Sequence, residues 1–354
     1  MRLTKEQKRY ARTIQWLLLA AFIVSPLYTI LVDGFGSWIP FINGAILAPS
    51  IVLIFGFFEF VVFSGKVRKK SFHVLLTLRI SAYFISITLC VLLVMILSRM
   101  FRFDISFQGV LESEEFKYYL NYGDFKALIM YIFVIVLLAN FVLQMDRKMG
   151  QGVLKGFLTG RFSSPKEINV FILFLKLQHA SDYIKVLGDQ KFLQFFNEVI
   201  FDITNTIIFN KGNISSYDDD EILIIWEPKE GILDAQVMRT YFEIHEDIDL
   251  HKIRYFEKYG AVPRFTGAVH YGEVICGEIG EVKSEIRYSG ETMNTAHRIL
   301  ELACREETLV ISEAALELLR LPVVFESYSL GENELRGRDR PVRLFGVKAK
   351  TETL

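Results

Sequence analysis

GEVICGEIGEVKSEIRYSGETMNTAHR, Gly272 to Arg298, decides how this chain is read: short apolar runs punctuated by glycines lead directly into a helical segment. Asn294 and Arg298 stand at i and i+4, so a helix sets both on one face. An amide beside a fixed guanidinium fork suits a ligand whose phosphate oxygens gain negative charge as a bond breaks. Taken alone, the pair also fits an ordinary solvated surface helix. Its neighbours along the chain decide between the two.

Upstream, Ile168 to Leu177 (INVFILFLKL) is an almost unbroken apolar run rich in β-formers, the pattern of a buried central strand. Asp182 to Phe209 carries apolar residues at helical spacing. Lys211 and Gly212 then punctuate, and strands follow at Ile214 to Tyr217 and Glu221 to Trp226, with Asp218 to Asp220 as the hairpin tip. A second helix is expected over Leu233 to Tyr259, ending at Gly260. Strands at Phe265 to His270 and Glu273 to Cys276 are expected to flank a turn at Gly272, with Gly277 and Gly280 as further turn glycines. Strand, helix, hairpin, helix, strand is the ferredoxin-like order of an α+β domain. The helices are expected on one face of its sheet and the site on the other. His179 and His270 have no paired ligands nearby, and Trp226, at the end of an apolar run, is expected in the core.

The first half of the chain is of another kind. Over 354 residues the hydrophobic content is 51% and the mean hydropathy +0.30, too apolar for one ordinary soluble domain, and the excess lies before residue 146. Thr13 to Val32, Ala45 to Phe63, Ile80 to Leu97 and Phe125 to Val142 each suffice to span a bilayer, which takes about 20 residues. Basic residues before the first span, after the second (Lys66, Arg68, Lys69, Lys70) and after the fourth (Arg147, Lys148, Lys155) assign both termini to the cytoplasm. The acidic loop Arg99 to Asp124 then faces outward. Glu59 and Arg79 fall in or near spans, where ionisable residues are functional candidates. Arg79 is expected to snorkel to the headgroups, with Glu59 a turn or so from the same interface. Met149 to Pro165, rich in glycine, reads as a linker. The expected organisation is thus a four-span membrane domain (1–148), a linker (149–165) and a cytosolic domain (166–350).

Cys90, Cys276 and Cys304 are scattered, with neither disulfide framework nor zinc spacing. A net charge of −1 gives no basic footprint for nucleic acid.

With these segments in order, the cytosolic half resembles the class III nucleotide cyclase family of adenylate and guanylate cyclases. VHYGEVICGEIG (Val269 to Gly280) resembles the family's strand and glycine turn, and YSGETMNTAHRILEL resembles its Asn/Arg helix. ISEAALELL (Ile311 to Leu319) and LRGRDRPVRLFGVK (Leu335 to Lys348) resemble its closing elements, and the likeness runs from about Pro165 to Lys348. For that half it implies an α+β ferredoxin-like cyclase domain, so the whole chain reads as an α-helical membrane domain followed by such a domain. The implied reaction converts a purine nucleoside triphosphate, ATP ahead of GTP, into a 3′,5′-cyclic nucleotide and pyrophosphate, with Mg²⁺ or Mn²⁺. The family's site is split across a head-to-tail dimer, one chain giving metal carboxylates and the other the Asn and Arg.

Carried over by position, Asn294 and Arg298 match the transition-state pair. Asp220 matches the second metal carboxylate, with Asp219 in place of the usual glycine, a substitution tolerable at positive φ. Asp218 to Asp220 also fit a plain solvated turn. The first metal Asp is replaced by Lys176, and an ammonium cannot ligate Mg²⁺; a salt bridge to Asp220 is its expected use. Ser216 and Arg287 stand where the family recognises the base, and neither is the family's residue; Arg287 is suited to a phosphate or a partner's carboxylate. Two functions fit: a membrane-anchored cyclase impaired as a homodimer, or a regulatory chain that pairs with an intact cyclase and donates Asn294 and Arg298. Lys176 divides them.

Overall fold

The computed structural model describes residues 38–63, 71–122, 125–149, 164–280, 284–335 and 341–350, with a few positions outside these ranges. The chain divides into two compact units, Met1–Lys148 and Met149–Leu354.

In the first unit, α1 (Trp38–Phe57) runs into a single π-helical segment (Phe58–Val62). Then come α2 (Phe72–Phe103), the short α3 (Phe107–Glu112) and α4 (Glu114–Tyr122), and α5 (Phe125–Met149). Two helical stretches, Phe72–Phe103 and Phe125–Val142, are long and apolar enough to cross a membrane, and Ile42–Phe57 is a shorter apolar helix. Leu89 and Leu93 of α2 and Met130 and Leu138 of α5 are exposed. The expected span Thr13 to Val32 lies for the most part outside the described residues, as do the basic residues before it and those at 66–70. The expected span Ala45 to Phe63 is α1 with its π-helical end, and the expected outward loop Arg99 to Asp124 contains α3 and α4.

Arg79 does not snorkel. Its side chain is 0% exposed and pairs with Glu59, itself 2% exposed, at 3.0 Å between Nη2 and Oε2. The Tyr83 hydroxyl donates to the other carboxylate oxygen at 2.8 Å, and the guanidinium lies 5.1 Å from the ring centre of Phe63. Two charges withdrawn from water are held by each other, because a lone buried ion is far more costly than a paired one.

The second unit is a mixed sheet with helices on both faces. Its elements are β1 (Lys166–Leu177), α6 (Ala180–Leu187), α7 (Asp189–Phe209), β2 (Asn213–Asp218), β3 (Glu221–Trp226), α8 (Pro228–Ile232), α9 (Gln236–Leu250) and α10 (Lys252–Tyr259). After these come β4 (Phe265–Ile279), β5 (Glu285–Ser289), α11 (Glu291–Glu306), β6 (Leu309–Ser312), α12 (Glu313–Leu319), β7 (Phe325–Asn333) and β8 (Val342–Ala349). The strand order is β2-β3-β1-β4-β6-β8-β7, with β5 paired to β4. β4 and β6 are parallel, so α11 is the helix of a crossover connection; the other pairings are antiparallel.

Alternation along the strands sorts the side chains between the faces. Phe171, Leu173, Leu175 and Leu177 of β1 join Ile222, Ile224 and Trp226 of β3 in the large core, with the stripe Phe195, Val199, Ile203 and Ile207 of α7 and Ile244 and Ile248 of α9. Val170 and Ile172 of β1, with Leu223 and Ile225 of β3, point the other way and pack with Ala296 of α11. The second face is therefore not bare, as expected from the sequence, but covered in part by α11.

Three expectations change in detail. The helix expected over Asp182 to Phe209 is two helices, α6 and α7, because Gly188 stands at φ 74° between them. The one expected over Leu233 to Tyr259 is a short 3₁₀ turn (Leu233–Ala235) followed by α9 and α10. The strands expected around a turn at Gly272 are one continuous strand, β4. Gly272 turns nothing; a Cβ there would meet Thr292 side-chain atoms at 2.8 Å, so its role is to let α11 approach the sheet. Trp226 is in the core as expected, 1% exposed, its indole donating to the Asn210 carbonyl at 2.7 Å.

Candidate functional site

The site lies where the face carrying α11 meets the tip of the β2–β3 hairpin. Alternation on β1 sends Lys176 to the same face as Val170, Ile172 and Phe174, and alternation on β3 sends Glu221 there too. In the register of β1 against β3, Lys176 stands directly opposite Glu221. Strand pairing therefore sets the two side chains against each other before any charge acts. Lys176 Nζ is 2.6 Å from Glu221 Oε1 and 3.7 Å from Asp220 Oδ1. The pairing expected with Asp220 is present but secondary; Glu221, which sequence reasoning missed, is the nearer partner. Burial by itself draws the ammonium pKa down, but the Glu221 hydrogen bond and the charges of Glu221 and Asp220 outweigh it, and the lysine is held above its ordinary value.

The hairpin tip is formed by Asp219 at φ 44°, the left-handed conformation anticipated for an Asp in a glycine position. Asp218 and Asp219 are exposed and Asp220 is half-buried. Ser216 is exposed on β2 beside an irregularity of the β2–β3 register between Ile214 and Ser216. Arg287, also exposed, is on β5 opposite Gly277. β3, β1 and β4 lie between the strands that carry Ser216 and Arg287, so the fold does not bring them together.

α11 starts at Gly290, whose φ of 127° admits few side chains. Thr292 Oγ1 donates to the Glu273 carbonyl, fixing the first turn of α11 to β4. Thr295, Ala296, Ile299, Leu300 and Ala303 form its buried stripe. That stripe leaves Asn294 exposed and Arg298 half-exposed, one turn apart on the same helix. Arg298 Nη1 is 3.5 Å from Glu301 Oε1, a solvent-accessible contact that restrains the fork weakly.

His297, also missed from the sequence, joins the helix to the hairpin. Its Nε2 is 3.4 Å from Glu221 Oε2, and its ring meets Phe174 edge to face at 5.7 Å. Lys176, Glu221, Asp220 and His297 are thus one contiguous polar cluster, with Asn294 and Arg298 on the helix that carries His297. The one available signal was that His297 is three residues from Asn294, hence on a neighbouring helix face. His270, by contrast, is buried, with Nδ1 2.8 Å from Ser312 Oγ.

The cluster does not fit the two-metal site implied by resemblance. Among the described residues no group of three His, Cys, Asp or Glu side chains is arranged to hold a metal ion. The place of the first carboxylate is filled by an ammonium already engaged with the acids beside it, and an ammonium cannot ligate a divalent cation.

Residues 266–348 match the family model of the adenylate and guanylate cyclase catalytic domain. Adenylate cyclase 2 of Rhizobium meliloti (strain 1021) is 31% identical over 211 residues, which cover 59% of this chain and 58% of that protein. The chain thus spans somewhat more than half the length of that relative. A solved bacterial light-regulated adenylyl cyclase superposes with a TM-score of 0.51 at 16% identity, over 65% of this chain and 67% of the other, a likeness of fold. The sequence match over residues 266–348 and the likeness of fold thus both fall on the second unit.

Proposed function

We propose that the protein is a membrane-anchored, class III nucleotide cyclase-type signalling protein that contributes the Asn/Arg half of a shared reaction centre and is impaired when paired with itself. One observation carries this reading: Asn294 and Arg298 remain presented on α11, while Lys176 is locked between Glu221 and Asp220 where the other half of the site requires a carboxylate. In the reaction concerned, the ribose 3′ hydroxyl attacks the α-phosphate and pyrophosphate leaves. Arg298 would neutralise charge gathering on the phosphate oxygens, and Asn294 would orient the ribose and phosphate within hydrogen-bonding reach. Metal carboxylates would come from a partner chain that keeps them. The apolar helices Phe72–Phe103 and Phe125–Val142 support membrane anchoring. Four apolar stretches of the sequence support four spans, and the basic residues flanking them support a cytoplasmic second unit. The relative described as an adenylate cyclase favours ATP over GTP as the nucleotide.

The second reading, a regulatory chain without catalysis of its own, is favoured by the same Lys176 cluster and by the substituted positions Ser216 and Arg287. The two are separated by assaying the purified full-length chain, alone and mixed with an intact cyclase chain, for cyclic nucleotide from ATP and from GTP. Low activity alone and a gain on mixing that disappears with Arg298→Ala is the expected result. A gain that survives Arg298→Ala supports a regulatory chain that acts on its partner without donating Arg298. Vigorous turnover by the chain alone refutes impairment and a need for a partner.

A further inference from the structure

The Lys176 cluster points to more than the loss of a ligand. We propose that the Lys176 ammonium is a tethered counter-ion that takes the place of a divalent cation, so that the carboxylates of this cleft are in part neutralised by the chain itself and the cleft has no saturable site for Mg²⁺ or Mn²⁺.

Three observations carry the proposal. First, the ammonium is put there by the sheet: Lys176 and Glu221 are register partners on the one face, so its position follows from strand pairing and not from a chance surface conformer. Second, both oxygens of Glu221 already face nitrogen, Oε1 toward Lys176 at 2.6 Å and Oε2 toward His297 at 3.4 Å. Asp220 is the remaining carboxylate at the ammonium, at 3.7 Å. A small divalent ion requires oxygens at about 2.0–2.1 Å in near-octahedral array, and to reach these it would have to displace the ammonium or sit against it. Third, like charges that close repel strongly even in a partly solvated cleft. Mg²⁺ also gives up its own water reluctantly, so two carboxylates shared with an ammonium are poor compensation.

The exposed Asp218 and Asp219 do not alter this balance. As solvated acids on a turn they attract cations loosely and screenably, without fixing one. The inference takes its location from the cyclase-type cleft but concerns cation uptake alone. It can therefore fail while the proposed function stands, and the reverse.

The test is a Mn²⁺ titration of the full-length chain in detergent micelles, without nucleotide, following free Mn²⁺ by its electron paramagnetic resonance signal. Wild type, Lys176→Asp and Lys176→Met are compared, with circular dichroism as the control for folding. Wild type is expected to show only weak, non-saturating uptake. Lys176→Asp replaces the repelling charge with a ligand and should acquire one Mn²⁺ per chain, bound about 100-fold more tightly than by wild type. Lys176→Met removes repulsion without adding a ligand and should gain less than about 10-fold. One saturable Mn²⁺ per wild-type chain, abolished by Asp220→Asn, would overturn the proposal, as would a folded Lys176→Asp chain that binds no better than Lys176→Met. Should Lys176→Asp fail to fold, the wild-type and Asp220→Asn titrations decide alone: a saturable site lost with Asp220 overturns the proposal, and its absence upholds it.

Discussion

Breaking the buried pair Glu59–Arg79 should weaken the first unit more than almost any other single change. Glu59→Leu removes a carboxylate that is 2% exposed and leaves the fully buried Arg79 guanidinium without its counter-ion at 3.0 Å. Removal of one member of such a pair costs about 3–5 kcal/mol, roughly a factor of 10² to 5 × 10³ in the folding equilibrium. The Tyr83 hydroxyl, which donates to the other oxygen at 2.8 Å, loses its acceptor in the same variant; Tyr83→Phe alone should cost about 1.5–3 kcal/mol, the range for a hydrogen bond to a charged group. Arg79→Leu strands the carboxylate and should cost as much as Glu59→Leu. The double variant Glu59→Leu/Arg79→Leu should recover most of the loss, since apolar residues in place of a complete buried pair are about neutral. The four proteins form a double-mutant cycle, read from reversible SDS unfolding in mixed micelles with tyrosine and tryptophan fluorescence as the signal. Strong non-additivity, several kcal/mol in favour of the double variant, is the expected outcome. If the single losses are below about 1 kcal/mol, or simply add in the double, the pair does not hold these helices together and the reasoning fails.

Further outcomes are expected in the second unit. Gly272→Ala should cost about 1–3 kcal/mol by overpacking, because the new Cβ meets the Thr292 side chain at 2.8 Å; thermal unfolding measures it, and pairing with Thr292→Ser should restore part of the loss. His245 is buried, and burial first, opposed by its bond to the Tyr241 carbonyl and aided by Arg264, lowers its pKa below the ordinary 6.5. The unfolded chain then takes up a proton that the folded chain resists, so this contribution is complete above about pH 6.5 and is lost as pH falls from there toward the lowered folded value. His245→Phe should flatten that part of the stability profile in pH-dependent denaturant titrations; an unchanged slope would exclude His245 as its source. In an active mixture with an intact cyclase chain, Asn294→Ala and Arg298→Ala should each lower kcat by about 10²–10³, the range for loss of one transition-state donor. Equal rates with and without either side chain would remove both from the shared centre.

How much of this the sequence carried depends on whether the determinant was local. The β1 apolar run, the β2–β3 hairpin and the left-handed Asp219 all follow from neighbouring residues, and each is found within a few positions of its expected place. The i, i+4 spacing of Asn294 and Arg298 likewise became two accessible side chains on one helix, because the apolar stripe of α11 falls on its opposite side. What escaped was set by register and packing at a distance. Glu221 is the neighbour of Lys176 only because β1 and β3 pair in one register. Gly272 looked like a turn because the reason for it, Thr292, is brought in by a helix twenty residues later. In the first unit, hydropathy marked Glu59 and Arg79 as costly but gave no indication that they face one another.

The π-helical segment at Phe58–Val62 gives that last contact an unusual vulnerability. A π turn accommodates roughly one more residue than an α turn does, so it acts as a phase shift in the winding of the helix. Were Phe58–Val62 to rewind in ordinary α geometry with every residue kept, the turn would hold one residue fewer, and the residues after it would be carried by about 100° around the axis. Phe63, whose ring centre lies 5.1 Å from the Arg79 guanidinium, would swing away from it with no residue altered. The surroundings of the buried guanidinium are therefore keyed to how this one turn is wound as well as to which residues stand in it.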